Sequence, residues 1–274
     1  MSTETIVTFL GGGNMAEAII RGLVRDGTVA SGNIRVGDPD EAQRRKYSDD
    51  EMLGGVMTGP DNSLLVRGAR VVVVAVKPHL VEDVLTEIAE KLSSDAVVIS
   101  IAAGITLNAL RQALPHAQPV IRVMPNTPAL VGEGISVLCP AQTVNEQQLK
   151  LAESLLSAVG EVADVTDEKL MDAVTALSGS GPAYVFLLAE AMSDGGVACG
   201  LPRPLADRLA IQTLLGASRL MDESGNHPAV LKSMVTSPGG TTVAGIAELE
   251  KLGVRGAMMS AIEAAWKRGK ELGS

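Results

Sequence analysis

The sequence predicts an α/β chain that begins with a doubly wound parallel sheet and ends in an all-helical region. Short β-branched runs alternate with helical patterns up to Val165, and almost every segment beyond Asp167 has helical periodicity. With 274 residues, 46% of them hydrophobic, the chain can bury a large core. We therefore expect two domains, residues 1–165 and residues 166–274.

The first half contains a series of βα units. The run TIVTFL (5–10) predicts the first strand, and the segment after it has helical spacing with Met15, Ile19 and Leu23 on one face. Later strands are expected in NIRVGD (33–38), GVMTG (55–59), ARVVVVAVKP (69–78), AVVISIAAG (96–104), VIRVMPNTP (120–128), GISVLCP (134–140) and GEVADV (160–165). The unbroken apolar run at 69–78 is typical of a parallel strand covered on both faces. A helix is expected over 144–159.

Composition excludes several classes of function. A net charge of −9 and only 2% aromatic residues argue against a nucleic-acid surface. No apolar stretch approaches the roughly 18 residues that cross a bilayer, so no membrane contact is expected. Cys139 and Cys199 lie far apart and no basic-then-apolar leader precedes them, which favours a cytoplasmic location. The histidines are too scattered to predict a metal site: His79, His116 and His227.

The glycines after the first strand predict dinucleotide binding. Gly11, Gly13 and Ala16 match G-x-G-x-x-G/A between a strand and a helix. In that motif the glycines permit a tight turn and close approach to a pyrophosphate at the helix N-terminus. The residues expected to bind the cofactor here are Leu10, Gly11, Gly12, Gly13, Asn14 and Met15.

The end of the second strand carries residues that can choose between cofactors. Asp38 lies 22 residues beyond Ala16, where a carboxylate can accept hydrogen bonds from the adenosine ribose and favour NAD. Arg44 and Arg45 follow closely and could instead bind a 2′-phosphate. The alternative is a helix cap at Asp38 and solvated arginines.

Later strands end at the same predicted edge, where open α/β sheets bind ligands. The cofactor-side residues expected there are Ala75, Val76, Lys77, Pro78, Ile101 and Ala103. Small residues after Ile101 and in MPNTP (124–128) would leave room for a nicotinamide ring. Lys77 could also be a plain strand-end charge, with Pro78 starting a helix.

Two loops in the second half could bind a small anion. In TSPGGTT (236–242) a glycine loop precedes a predicted helix, and free backbone N–H groups at such a start favour a carboxylate. SGSGPAY (178–184) places two hydroxyls and flexible backbone before an apolar helix. Ordinary helix capping is the alternative for both loops.

Taken together, FLGGGNMAEAI, AVKPH, MPNTP, SGSGPAY and above all TSPGGTT resemble the pyrroline-5-carboxylate reductase family over nearly the whole chain. The resemblance implies a Rossmann domain, a helical dimerisation domain and hydride transfer from NAD(P)H to the imine 1-pyrroline-5-carboxylate, giving L-proline. It assigns catalytic contacts to Ser237 and Thr242, and implies that further residues bind substrate or cofactor: Glu168, Ser178, Gly179, Ser180, Gly240 and Thr241 on the substrate side, and Asn62 on the cofactor side.

The resemblance also implies a homodimer, with assembly into larger oligomers left open. Many relatives have Ser or Thr before the acidic residue of the second strand and Arg after it, whereas this chain has Gly37, Asp38 and Pro39. These departures count against a preference for NADPH, whereas Asn62 in GPDNSLLV (59–66) still matches a cofactor-side position of the family. NADPH is the expected cofactor, with NADH also possible.

Two other classes share parts of this pattern. A 3-hydroxyacid dehydrogenase needs a basic residue on the interdomain helix, yet no lysine occurs between Lys169 and Lys232. A non-catalytic NAD(P)-sensing protein would keep the first glycine loop without needing SPGGTT. A turnover assay separates these classes.

Overall fold

The computed structural model describes residues 5–115 and 117–272. His116, one of the three histidines considered above, lies outside the described residues. By compactness the chain divides into two units. The first runs up to Ser180 and resumes at Ala265, and the second is Gly181–Ala264.

Within the described residues, eight strands form one sheet: β1 (Val7–Leu10), β2 (Ile34–Gly37), β3 (Met57–Gly59), β4 (Val71–Val74), β5 (Val97–Ser100), β6 (Val120–Met124), β7 (Gly134–Pro140) and β8 (Gly160–Asp164). Their order is β3-β2-β1-β4-β5-β6-β7-β8. The first six strands pair in parallel, as predicted, whereas β7 is antiparallel to β6. Residues 125–133 are too few for the crossover that a parallel neighbour needs, so the chain turns straight back.

Strand β4 shows why the sheet is doubly wound. Val71 and Val73 belong to the apolar cluster on one face of the sheet, and Val72 and Val74 belong to the cluster on the other face. Since successive side chains of a strand point to opposite faces, helices must cover both sides. This confirms the predicted fold class.

The helices are α1 (Asn14–Arg25), α2 (Glu41–Ser48), α3 (Asn62–Leu65), α4 (Val81–Ile88), α5 (Leu107–Gln112), α6 (Glu146–Leu156), α7 (Met171–Val174), α8 (Gly181–Ala198), α9 (Arg203–Ser224), α10 (Pro228–Met234), α11 (Thr241–Lys251) and α12 (Val254–Leu272). A π-helical turn, Thr175–Gly179, separates α7 from α8. The helix expected over 144–159 is α6 followed by a short 3₁₀ turn, Ser157–Val159.

The helical unit has almost no core within one chain. Of its described residues only Ser193, Ala206 and Ala210 are buried. Along α8 four consecutive side chains are exposed: Val185 (47%), Phe186 (67%), Leu187 (64%) and Leu188 (38%). Because helical neighbours point about 100° apart, these four side chains cover most directions around the helix. A unit of this kind needs further apolar surface to pack against.

No helix in the described part of the chain is both long and apolar enough to cross a membrane.

Candidate active site

Gly11 is required by the turn that follows β1. Its φ of +97° lies in the region that favours glycine, and a Cβ at this position would be 2.8 Å from Ala75 O. The Gly11 N–H donates to Gly37 O at 2.7 Å. The first glycine of the motif therefore joins the ends of β1, β2 and β4.

Gly13 leaves an open cradle at the start of α1. It is the N-cap residue without a capping side chain, and a Cβ built on it meets no atom within 4 Å. Four other helices of this unit are capped by side chains that accept from backbone N–H: Asp40, Asp61, Thr106 and Asn145. The exposed donors of α1 fit the pyrophosphate of a dinucleotide.

Two side chains hydrogen-bond to the backbone of Gly12. Asp38 Oδ2 accepts from Gly12 N at 2.9 Å, and the hydroxyl of the fully buried Tyr47 donates to Gly12 O at 3.0 Å. Burial raises the pKa of the Tyr47 phenol, so the group stays protonated and remains a donor. Sequence reasoning missed Tyr47, whose signal is an aromatic residue within the polar run QRRKYSDD.

The two arginines that follow β2 have different partners. Arg44 Nη1 donates to Asp38 O at 2.7 Å and to Pro39 O at 2.9 Å, which holds the guanidinium at the turn after β2. Arg45 instead pairs with Glu41 at 2.6 Å on the exposed face of α2. Arg44 is thus the better placed cation for a 2′-phosphate, while Asp38 also supports the glycine loop.

Gly37, which departs from the family pattern, lies directly against the side chain of Asn62. A Cβ at Gly37 would collide with Asn62 Oδ1. The amide of Asn62 is turned so that Nδ2 donates to Glu87 Oε2 at 3.2 Å. Gly37 and Asn62 therefore fit one another, and a larger residue at 37 would require Asn62 to move.

The cofactor residues predicted at the ends of β4 and β5 lie at the same edge of the sheet as the glycine loop after β1. Ala75 N donates to Leu10 O at 2.8 Å and Ile101 N to Val74 O at 3.1 Å, which aligns the ends of β1, β4 and β5. The side chain of Leu10 is fully buried, so only its backbone can face a ligand. Val76 and Ile101 are half-buried and Ala103 is exposed.

Lys77 is the exposed N-cap residue of a 3₁₀ turn, and Pro78 occupies the first position of that turn. The helical turn starting at Pro78, which the alternative interpretation of Lys77 predicted, is therefore present. The side chain of Lys77 still lies at the carboxyl end of β4, so contact of either residue with the cofactor stays a prediction.

The loop before α11 has the same character as the loop before α1. Gly239 has φ +70°, and Gly240 N donates to Ser237 O at 3.0 Å. Gly240 is the N-cap residue of α11, so no side chain caps this helix. Ser237 is exposed and Thr242 is half-buried. This loop therefore leaves N–H donors of α11 open, in contrast to the side-chain cap that the alternative predicted.

Glu168 is held by groups of the sheet unit. Its Oε1 accepts from Leu107 N at 2.7 Å and from Arg122 Nη1 at 2.9 Å. Arg122 is 5% exposed and also approaches Asp172 at 3.5 Å. Sequence reasoning missed this buried arginine, and the role of Glu168 toward substrate stays a prediction.

The serine-rich segment lies on the π-helical turn. The Ser178 hydroxyl donates back to Val174 O at 3.0 Å, and Ser180 N donates to Thr175 O at 2.9 Å. In the described residues no cluster of three or more His, Cys, Asp or Glu side chains could hold a metal ion.

A doubly wound sheet with a dinucleotide cradle, followed by helices, defines an NAD(P)H-dependent oxidoreductase of the Rossmann-plus-helical class. Residues 168–272 match the family model described as pyrroline-5-carboxylate reductase dimerisation. Residues 6–104 match the model described as NADP oxidoreductase, coenzyme F420-dependent. The chain belongs to the pyrroline-5-carboxylate reductase family, which confirms the resemblance seen in its motifs.

Individual relatives agree over full length. The chain is 47% identical to a pyrroline-5-carboxylate reductase of a Synechocystis species, covering 96% of this chain and 97% of the relative. It superposes on a pyrroline-5-carboxylate reductase from Coxiella burnetii with TM-score 0.92 and 38% identity, covering 99% of each chain. A Plasmodium falciparum pyrroline carboxylate reductase solved with NADP bound gives TM-score 0.88 and 32% identity over 99% of each chain.

Proposed function

We propose that the chain reduces 1-pyrroline-5-carboxylate to L-proline with NAD(P)H, the last step of proline biosynthesis. The observation that carries this proposal is that α1 and α11 both have a glycine as N-cap residue and therefore no capping side chain. Each offers backbone donors to one anion, the pyrophosphate of the cofactor at α1 and the carboxylate of the substrate at α11.

The reaction needs few catalytic side chains. Bound NAD(P)H supplies the hydride, and a protonated imine carbon is already electrophilic. Thr241 holds the substrate carboxylate through its N–H group, and Ser237 hydrogen-bonds the substrate. The N–H of Gly240, which donates to Ser237 O in this structure, joins the carboxylate site only if the ligand replaces that bond. The Thr242 hydroxyl hydrogen-bonds the ring nitrogen, and Glu168 with Ser178–Ser180 lines the substrate side. An imine that arrives protonated needs no general acid, and otherwise the Thr242 hydroxyl can relay the proton to nitrogen.

The cofactor lies across the carboxyl edge of the sheet in this proposal. It is bound by the residues predicted above: Leu10, Gly11, Gly12, Gly13, Asn14, Met15, Asp38, Asn62, Ala75, Val76, Lys77, Pro78, Ile101 and Ala103. Residues 1–165 then form the dinucleotide-binding domain, and residues 166–274 supply substrate contacts and the dimer interface.

The helical region forms a homodimer in this proposal, and larger assemblies are left open. The exposed apolar side chains of α8 support it, as do Leu209 (48% exposed) and Ile211 (61% exposed) on α9. We propose a cytoplasmic location because both cysteines are free thiols and the reaction consumes reduced nicotinamide cofactor.

The test is turnover. The purified chain should oxidise NADPH or NADH only when the cyclic imine is present, and should release L-proline in equal amount. Folded protein that turns over the imine with neither cofactor would contradict the proposal, and a non-catalytic NAD(P)-sensing protein would explain that result.

Cofactor choice is tested by the two neighbouring arginines. Arg44→Ala should raise KM for NADPH about tenfold with little change for NADH, since one charge-assisted hydrogen bond to the 2′-phosphate is lost. Arg45→Ala removes the same charge from the exposed face of α2 and is the matched control, so steady-state kinetics should show little change. Equal effects of Arg44→Ala on both cofactors would rule out its contact with the 2′-phosphate.

A further inference from the structure

Asn126, in the MPNTP segment, joins two parts of the sheet unit through one amide group. Its Nδ2 donates to Ser178 O at 3.2 Å, and its Oδ1 accepts from Ile135 N at 2.9 Å. Asn126 is half-buried, and it follows the carboxyl end of β6. One side chain therefore ties the serine-rich segment to the start of β7.

The carbonyl of Ser178 lacks its usual α-helical donor. An α-helical carbonyl accepts from the N–H four residues later, and that position is Pro182, which has no N–H. In the π-helical turn, Thr175 O accepts from Ser180 N. The Asn126 amide fills the gap that the proline creates.

A second contact joins the same two segments. The methyl group of Met124 lies where a Cβ of Gly179 would be, so the backbone of Gly179 approaches the end of β6 closely. Since β6 runs parallel to β5, this end lies at the same sheet edge as Ile101 and the glycine loop. The serine-rich segment is thus held against the cofactor edge.

We propose that Asn126 is a positioning residue that sets the place of Ser178–Ser180 against the cofactor edge. The proposal rests on the substrate-side role proposed for that segment. In this proposal Asn126 acts through the Ser178 carbonyl rather than by contacting a reactant. Its loss should therefore impair the imine far more than the nicotinamide cofactor.

The variant that isolates the donor is Asn126→Asp, because a carboxylate still accepts from Ile135 N but cannot donate to Ser178 O. We expect kcat/KM for the imine to fall about tenfold or more, the change for one lost hydrogen bond, while the Kd of NADPH changes less than about twofold. Asn126→Ala should act in the same direction without adding charge. Asn145→Asp adds the same charge at the α6 N-cap, where aspartate keeps the capping bond, and should leave both quantities unchanged.

Pro182→Ala should restore a backbone donor to the Ser178 carbonyl. An alanine at 182 offers Ser178 O a donor within the helix, so Asn126→Asp should cost less in a Pro182→Ala background than in the wild-type chain. If the loss in Asn126→Asp does not come from the hydrogen bond to Ser178 O, no such coupling is expected. Equal losses in both backgrounds would overturn the proposal, as would losses of cofactor and imine binding that run in parallel.

Amide hydrogen exchange tests the positioning of the serine-rich segment without measuring turnover. Hydrogen exchange of the segment 178–181 should become about tenfold faster in Asn126→Asp and stay unchanged in Asn145→Asp. Unchanged exchange in Asn126→Asp would overturn the proposal even if the wild-type enzyme is active. If exchange is faster in Asn126→Asp but the wild-type enzyme does not reduce the imine, the proposed function is wrong and the positioning of the segment by Asn126 still holds.

Discussion

A chain that ends at Gly253 is expected to lose both its activity and the homodimer proposed above. The cut removes α12, which lies within the dimerisation match of residues 168–272. The C-terminal part of α12 also packs within the sheet unit, where Leu272 lies against Gly104. Gly269 lies close to Asp172: a Cβ placed on Gly269 would be 3.7 Å from Asp172 Cβ. Light scattering at micromolar concentration and the turnover assay measure the two losses.

A point substitution tests the same interface without shortening the chain. Phe186→Asp places a charge on a side chain that is 67% exposed in the single chain, and burying that charge in a dimer would be unfavourable. Gln147→Asp adds the same charge on the exposed surface of α6 and should leave the dimer intact. A monodisperse, fully active monomer from the wild-type chain would refute the dimer proposal.

Replacing Thr242 by alanine should lower kcat/KM for the imine about 10- to 100-fold, the loss of one substrate hydrogen bond of roughly 1.4–2.7 kcal/mol. The half-buried side chain lies in the first turn of α11, where alanine is a good helix former, so folding should survive. Thr242→Ser keeps the hydroxyl and should recover most of the activity. Unchanged kinetics in Thr242→Ala would mean that the residue serves the helix alone.

The sheet and the family could be predicted because their signals are local in sequence. The run that became β4 is apolar without interruption, and the glycine motif lies between a strand and a helix. The antiparallel β7 was not predicted, since β-branched runs do not reveal strand direction. The short connection over 125–133 was the available signal.

The supports of the candidate site could not be predicted because they join distant positions. Asn126 and Ser178 are 52 residues apart, and Arg122 and Glu168 are 46 apart. Tyr47 reaches Gly12 across 35 residues. A single sequence carries no record of which distant polar groups meet, so such contacts come only from the fold. That the N-cap residue of α11 is Gly240, and not a neighbouring serine or threonine, likewise follows from backbone geometry.

The central claim is that the N–H donors at the start of α11 bind the carboxylate of a cyclic imine. The most direct measurement compares kcat/KM for 1-pyrroline-5-carboxylate with that for 1-pyrroline, which has the same ring without the carboxylate. We predict a preference of at least about tenfold for the carboxylate-bearing imine, from charge-assisted bonds of about 1.5–3 kcal/mol. Equal values for the two imines, or no oxidation of NADPH or NADH with either, would contradict the account.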